Sequence, residues 1–227
     1  MSLVLQIETA TDICSVSIAK EGKTVLCLQD DSLRNHAKGL MPLMDRLFNE
    51  SGIPMSQLDA IAVSKGPGSF TGLRIGVASA KGLCYALDKP LIGIQTLDSM
   101  ARYFAMTIRV ENALYCPMID ARRKEVYTAI FSSELMNVEP TQALILDSVS
   151  FEERLNNDRM VFFGCGAAKF EQMAKNNINA LFYKEFNPSA EGMNELALKS
   201  LLMGEFENLA HFEPFYLKDF YSPNRVI

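Results

Sequence analysis

The segment Lys65-Gly66-Pro67-Gly68-Ser69-Phe70-Thr71-Gly72 constrains this chain more than any other. An apolar run at 59–64 precedes it and a long, mostly apolar stretch at 73–87 follows. Glycine tolerates backbone angles that other residues avoid, and proline cannot continue a regular hydrogen-bonded run, so a strand must stop here, turn tightly and restart as a helix. Strand, glycine turn and helix form the repeating unit of an α/β sheet covered by helices. Pro90 ends the helix, a short strand is expected at 91–94, and a further helix opens at Thr96.

The flanking sequence extends that unit. Short apolar or alternating runs at 3–7 and 15–19 surround the hydroxyl-rich turn Glu8-Thr9-Ala10-Thr11-Asp12 and predict a β-hairpin, with a third strand at 24–28. Helical spacing of Leu40, Met44 and Leu47, with Met41 and Phe48 alongside, predicts a helix over 37–48. The pattern divides into a first lobe, 1–106, and a second, 107–227. In the second lobe strands are expected at 114–119, 125–131, 142–146 and 160–163, and helices at 151–155, after Gly164-Cys165-Gly166, and at 189–202. The aromatic tail from about 206, notably 214–220, is expected to pack back onto the first lobe.

At the glycine turn two readings stand together. Gly66, Gly68, Ser69 and Gly72, with Glu8, Thr9 and Thr11 of the first hairpin, would suit a phosphate or nucleotide cradle, because exposed N–H groups at a helix start attract anions. The same glycines equally serve a tight structural turn. The P-loop ending Gly-Lys-Ser/Thr is absent, as is the acidic residue of a dinucleotide fingerprint. In the helix that follows, Arg74, Lys81 and Asp88 share one stripe while Gly72, Gly76 and Ala80 recur every four residues, which lets another backbone approach closely. The stripe of Leu73, Val77, Cys84 and Leu87 suits packing on the sheet.

Other chemistry is sparse. Asp120-Ala121-Arg122-Arg123-Lys124-Glu125 has the form of a solvated hairpin turn, with Arg122 and Arg123 as candidates for the rim of an interlobe cleft where guanidinium groups meet carboxylate or phosphate. The two histidines, His36 and His211, have no neighbours at metal-ligand spacing, and no GxSxG or HExxH motif occurs. His36 is expected to end or cap the first helix. Cys14, Cys27, Cys84, Cys116 and Cys165 are widely spaced, without a CxxC pair, and suit small buried hydrophobes. A net charge of −5 disfavours an independent grip on a phosphate backbone. Lacking a basic leader or a long apolar run, the chain is expected to be cytoplasmic, with no membrane contact.

Ile7-Glu8-Thr9-Ala10-Thr11, the stretch from His36 to Met44, Ser64 through Gly76 with its Phe-Thr-Gly-Leu-Arg continuation, and Asp120 through Tyr127 closely resemble the bacterial TsaB (YeaZ) family. The resemblance implies an actin/Hsp70-like (ASKHA, ribonuclease H-like) two-lobe α/β fold with helix-covered mixed sheets. It also implies a non-catalytic role in forming N6-threonylcarbamoyladenosine, the modified adenosine 3′ of the anticodon in tRNAs reading codons that start with A. In that system the sister protein TsaD catalyses transfer and TsaE is an ATPase. TsaD carries a His-Leu-Glu-Gly-His metal-binding segment where this chain has Thr96-Leu97-Asp98-Ser99-Met100. A hydroxyl and a thioether do not replace imidazoles on a borderline metal, so no metal site or catalytic residue is expected. Thr96 suits a helix N-cap and Met100 an apolar face.

The resemblance therefore leads to a heterodimer with TsaD, formed through Met41, Met44, Leu47, Phe48, Leu73, Gly76 and Ala80, and to self-pairing through the same surface when alone. TRNA would be reached indirectly, through the complex. No cofactor is expected to be tightly bound, the cleft or the TsaD interface being the place for ATP or ADP. Two enzyme classes compete with this reading. A glycoprotease-like metallopeptidase lacks its ligand pair, and a sugar or acid kinase on the same fold needs a hairpin aspartate, for which Glu8 and Asp12 are the nearest candidates.

Overall fold

A computed structural model describes residues 2–30, 36–174 and 177–218. Asp219 and Phe220 of the expected docking tail lie outside the described residues. Two five-stranded sheets organise the chain. The first contains β1 (Leu3–Glu8), β2 (Cys14–Lys20), β3 (Lys23–Asp30), β4 (Ala60–Gly66) and β5 (Leu91–Gln95), in the order β3-β2-β1-β4-β5. The helices interleaved with these strands are α1 (His36–Ser51), α2 (Phe70–Leu87) and α3 (Thr96–Thr107).

The second sheet contains β6 (Leu114–Asp120), β7 (Glu125–Phe131), β8 (Asn137–Ile145), β9 (Met160–Phe163) and β10 (Ala180–Tyr183), in the order β10-β9-β6-β7-β8. Here the helices are α4 (Glu152–Asn157), α5 (Ala167–Glu171) and α6 (Asn194–Met203). In each sheet an antiparallel three-stranded meander continues into two parallel strands, as crossover helices require.

β1 is buried along its whole length, as a central strand must be. Its alternation divides labour between faces. Leu5 and Ile7 join the core beneath α1 and α2, while Val4 faces Met193 and Ala197. α1 contributes Leu40, Leu43, Met44, Leu47 and Phe48 to that core, each stabilising the fold by roughly 1.5–3 kcal/mol relative to exposure. Pro42 lies on the exposed face of α1, where a missing N–H leaves no buried acceptor stranded. Asp88 in the left-handed conformation terminates α2.

Packing crosses between the halves of the sequence. α3 supplies Leu97, Met100, Ala101 and Phe104 to the core of the second sheet, around an aromatic cluster in which Phe104 stacks on Phe163 at 4.2 Å. α6 returns to cover β1, β4 and β5 of the first sheet with Ala197 and the preceding Met193. The tail then runs along the first sheet. Glu207 N–H donates to Leu91 O at 2.9 Å, Phe212 enters the core beneath α2, and Tyr216 stacks on Phe70 at 4.9 Å.

Three expectations for the second half change. β8 begins at Asn137, five residues before the predicted start, because Pro140 interrupts the sequence pattern yet sits on an edge strand that tolerates a missing donor. β10 was not anticipated; its four half-buried residues give too short a signal. The helix predicted at 189–202 divides into a 3-10 turn, Ala190–Met193, and α6. Among the described residues no helix is long and apolar enough to cross a membrane.

Candidate functional site

Glu8 closes β1 beside Ser15 of β2, and residues facing each other across an antiparallel pair share a side of the sheet. Ser15 Oγ accepts from Ala190 N–H at 3.1 Å, so Glu8 lies under the 3-10 turn, fully buried. Glu8 Oε1 accepts from Ala10 N–H at 2.7 Å, while Oε2 has no partner among the described residues. Burial pushes its carboxyl up to about 7, opposed by hydrogen bonds from Ala10, Ser64 and Thr9.

The glycine turn is filled by this chain's own backbone. A Cβ at Gly68 would lie 2.4 Å from Ala10 O, one at Gly72 2.1 Å from Thr9 O, and one at Gly66 2.4 Å from Phe215 O. Ser69 N–H donates to Ala10 O at 2.7 Å, and the Ser69 hydroxyl caps α2 by accepting from Gly72 N–H at 3.2 Å. Of the two readings of this turn, the structure displays the tight packing, and the N–H groups of Ser69 and Gly72 already have acceptors within the chain. Thr9 and Thr11 are buried in the same junction, with Thr11 O bonded to His36 Nε2 at 2.6 Å. His36 therefore stands at the N-terminal end of α1, where its ring ties the helix to the hairpin turn.

The expected docking residues divide by exposure. Met41 is 45% exposed and stands on the outer face of α1. Met44, Leu47, Phe48, Leu73 and Ala80 are buried in the core, and Gly76 faces inward, where a Cβ would lie 2.2 Å from Thr9 Oγ1. These six cannot present side chains to a partner. The small strip of Gly72, Gly76 and Ala80 instead lets the first hairpin and sheet approach α2.

A second small-residue strip faces outward. Ala78, Gly82 and Ala86 are exposed at four-residue spacing, a Cβ at Gly82 meets nothing within 4 Å, and Tyr85 beside them is 83% exposed. Lys81 is drawn to the tail, donating to Phe212 O at 3.0 Å, and Arg74 lies over the Phe70 ring at 4.0 Å. The strip of Ala78, Gly82 and Ala86 with Tyr85 is thus an uncharged part of the exposed face of α2. Sequence spacing carried this signal but could not choose between two equivalent strips in one helix.

The remaining candidates fall elsewhere. Arg122 and Arg123 occupy the exposed β6–β7 turn, both with positive φ (70° and 49°), the arrangement that a tight hairpin favours. Arg122 N–H donates to Asp120 Oδ1 at 2.6 Å, and Lys169 Nζ reaches the same oxygen at 2.6 Å. Thr96 is the first residue of α3, with Gln95 in the cap position; its buried Oγ1 has no partner among the described residues, which corrects the N-cap expectation. Met100 is fully buried in the second core. Cys14, Cys84 and Cys116 are buried and Cys27 is half-buried, whereas Cys165 is exposed on a turn, against expectation.

Two mixed five-stranded sheets bridged by α3, each a meander extended by parallel strands, define an actin-like ATPase fold. The ADPNP-bound activator of 2-hydroxyisocaproyl-CoA dehydratase from Clostridium difficile shares it at a TM-score of 0.52 and 11% identity, over 91% of this chain and 98% of that one. Residues 30–222 match the family model described as TsaD: tRNA N6-adenosine threonylcarbamoyltransferase. The tRNA threonylcarbamoyladenosine biosynthesis protein TsaB of Haemophilus influenzae is 31% identical over 95% of this chain and 93% of its own length. YeaZ from Pseudomonas aeruginosa superposes with a TM-score of 0.79 at 29% identity, covering 96% of this chain and all of that one. The chain belongs to the TsaB (YeaZ) family.

Proposed function

We propose that this protein is an accessory subunit in tRNA threonylcarbamoyladenosine biosynthesis, docking on a TsaD-type catalytic subunit through the outer faces of α1 and α2. The observation that carries the docking mode is the exposed strip of Ala78, Gly82 and Ala86 on α2 with the exposed Tyr85 beside it, together with the exposed Met41 on α1. Small residues let a partner helix approach to backbone distance, and a ring beside them supplies an anchor of the kind that dominates interface energies. Support for the assembly comes from the TsaB relatives and from the match of residues 30–222 to the TsaD description.

A catalytic role on its own is disfavoured by chemistry. The positions that resemble the sister enzyme's ligand histidines hold Thr96 and Met100, both fully buried. In this reading ATP or ADP belongs to the cleft or to the interface shared with TsaD, since the N–H groups of Ser69 and Gly72 at the glycine turn are already engaged. TsaE joins the assembled pair, tRNA is engaged through the complex, and the isolated protein self-pairs through the same helices.

Gly82→Arg is expected to abolish pairing with TsaD without lowering the melting temperature, since the position is open and arginine is a better helix former than glycine. Tyr85→Ala should weaken pairing by about 2 kcal/mol, measured by calorimetric titration. Normal affinity in both variants would remove the docking mode. The function itself is tested by depletion: nucleoside mass analysis of tRNA should show loss of threonylcarbamoyladenosine, and an unchanged level refutes the assignment.

A further inference from the structure

A hollow of about 610 Å³ opens between the end of β3, the C-terminal turn of α3 and the chain leaving β10. That volume falls in the roughly 300–1,000 Å³ range of small-molecule clefts. Among the described residues, none of its lining lies on α1 or α2, so it is separate from the docking face.

Its walls are aromatic and held from behind. Phe186 packs edge-on against Phe104 at 5.4 Å and Phe163 at 5.2 Å, and Tyr183 meets Phe104 edge-on at 5.2 Å. Tyr103 leans on Phe186 at 5.5 Å with their planes 44° apart. Rings fixed by a core need little further ordering when a ligand arrives. The polar lining is of another kind, comprising the amides of Gln29 and Asn187 and the carboxylate of Glu185, all exposed. Lys184, the one cation among the described lining residues, is engaged by Glu171 at 2.9 Å. Glu185 therefore disfavours an anion, while the two amides offer paired donors and acceptors at the edge of a flat ligand.

We propose that this hollow binds a planar, uncharged nitrogen heterocycle of the nucleobase class, stacked against Tyr103, which the buried Phe186 supports from behind, with its edge read by Gln29, Asn187 and Glu185. Phosphate groups lie outside it. The ligand is either a free nucleoside or a base within single-stranded RNA, which share this chemistry.

The test is NMR titration of the full chain with adenosine, following the side-chain amides of Gln29 and Asn187, with ribose and AMP as controls. Saturable shifts with adenosine, weaker shifts with AMP and none with ribose are expected. Tyr103→Ala should weaken binding about tenfold or more, the loss of one base–aromatic stack, and Tyr103→Phe should retain it. Asn187→Ala, at an exposed position, should weaken binding without disturbing the aromatic wall. An oligoadenylate that binds more tightly than adenosine identifies RNA as the source; equal or weaker binding identifies the free nucleoside. No saturable shift with either probe, or unchanged binding in both Tyr103→Ala and Asn187→Ala, overturns the proposal.

Discussion

Glu8→Gln is expected to remove about 3 kcal/mol of pH-dependent stability from this protein, measured as the change in urea unfolding free energy between pH 4.5 and pH 8. Burial holds the Glu8 carboxyl near 7 in the folded chain, against 4.5 for the unperturbed group. The folded state thus binds this proton more tightly than the unfolded state. Its contribution is fully present below the unfolded value and is lost as pH rises through about 7. Glutamine keeps a carbonyl oxygen for Ala10 N–H and carries no charge, so the variant should equal wild type near pH 4.5 and exceed it at pH 8. Other titrating groups contribute equally to both proteins and cancel in the difference. Parallel pH profiles would show that the Glu8 environment is not as closed as the packing of the 3-10 turn implies.

The second large effect comes from one substitution made at two places in α2. Gly72→Ala should destabilise the protein by about 3 kcal/mol or more, because the new methyl would lie 2.1 Å from the backbone oxygen of Thr9, which has no rotamer to change. Gly82→Ala, in open space, should stabilise by up to about 1 kcal/mol through helix propensity alone. Propensity favours alanine at both positions, though less in the first turn at Gly72, so opposite signs in thermal or urea unfolding isolate the packing of the first hairpin on α2. A neutral Gly72→Ala would mean that the hairpin turn does not press on the helix. Gly76→Leu, attractive from sequence as an interface probe, belongs with Gly72: its Cβ would lie 2.2 Å from Thr9 Oγ1, so it should fail by unfolding before it reports on any partner.

Much of this arrangement was legible in the residues. Local periodicity located the first hairpin, α1, β4, α2 and β9, since each carries a strong pattern bounded by glycine, proline or a change of period. β10 escaped because four residues carry no decisive period, and the start of β8 escaped because Pro140 reads locally as a break. Among the proposed docking residues, Met41 is exposed, while Met44, Leu47, Phe48, Leu73, Gly76 and Ala80 turn inward. The second strip in α2 has the same spacing as the first and no local feature that distinguishes it.

By itself the sequence determined the order of elements in the first half, the glycine turn between strand and helix, the family, and the thioether and hydroxyl where a related enzyme has imidazoles. Those are properties of near neighbours in the chain or of residue chemistry. Only the tertiary structure decided that Ala10 and Thr9 fill the glycine turn, that α2 shows Tyr85 and Gly82 to solvent, and that α3 and α6 cover opposite sheets. Each depends on contacts between segments far apart in sequence, whose free energy is absent until the chain closes and brings both surfaces together.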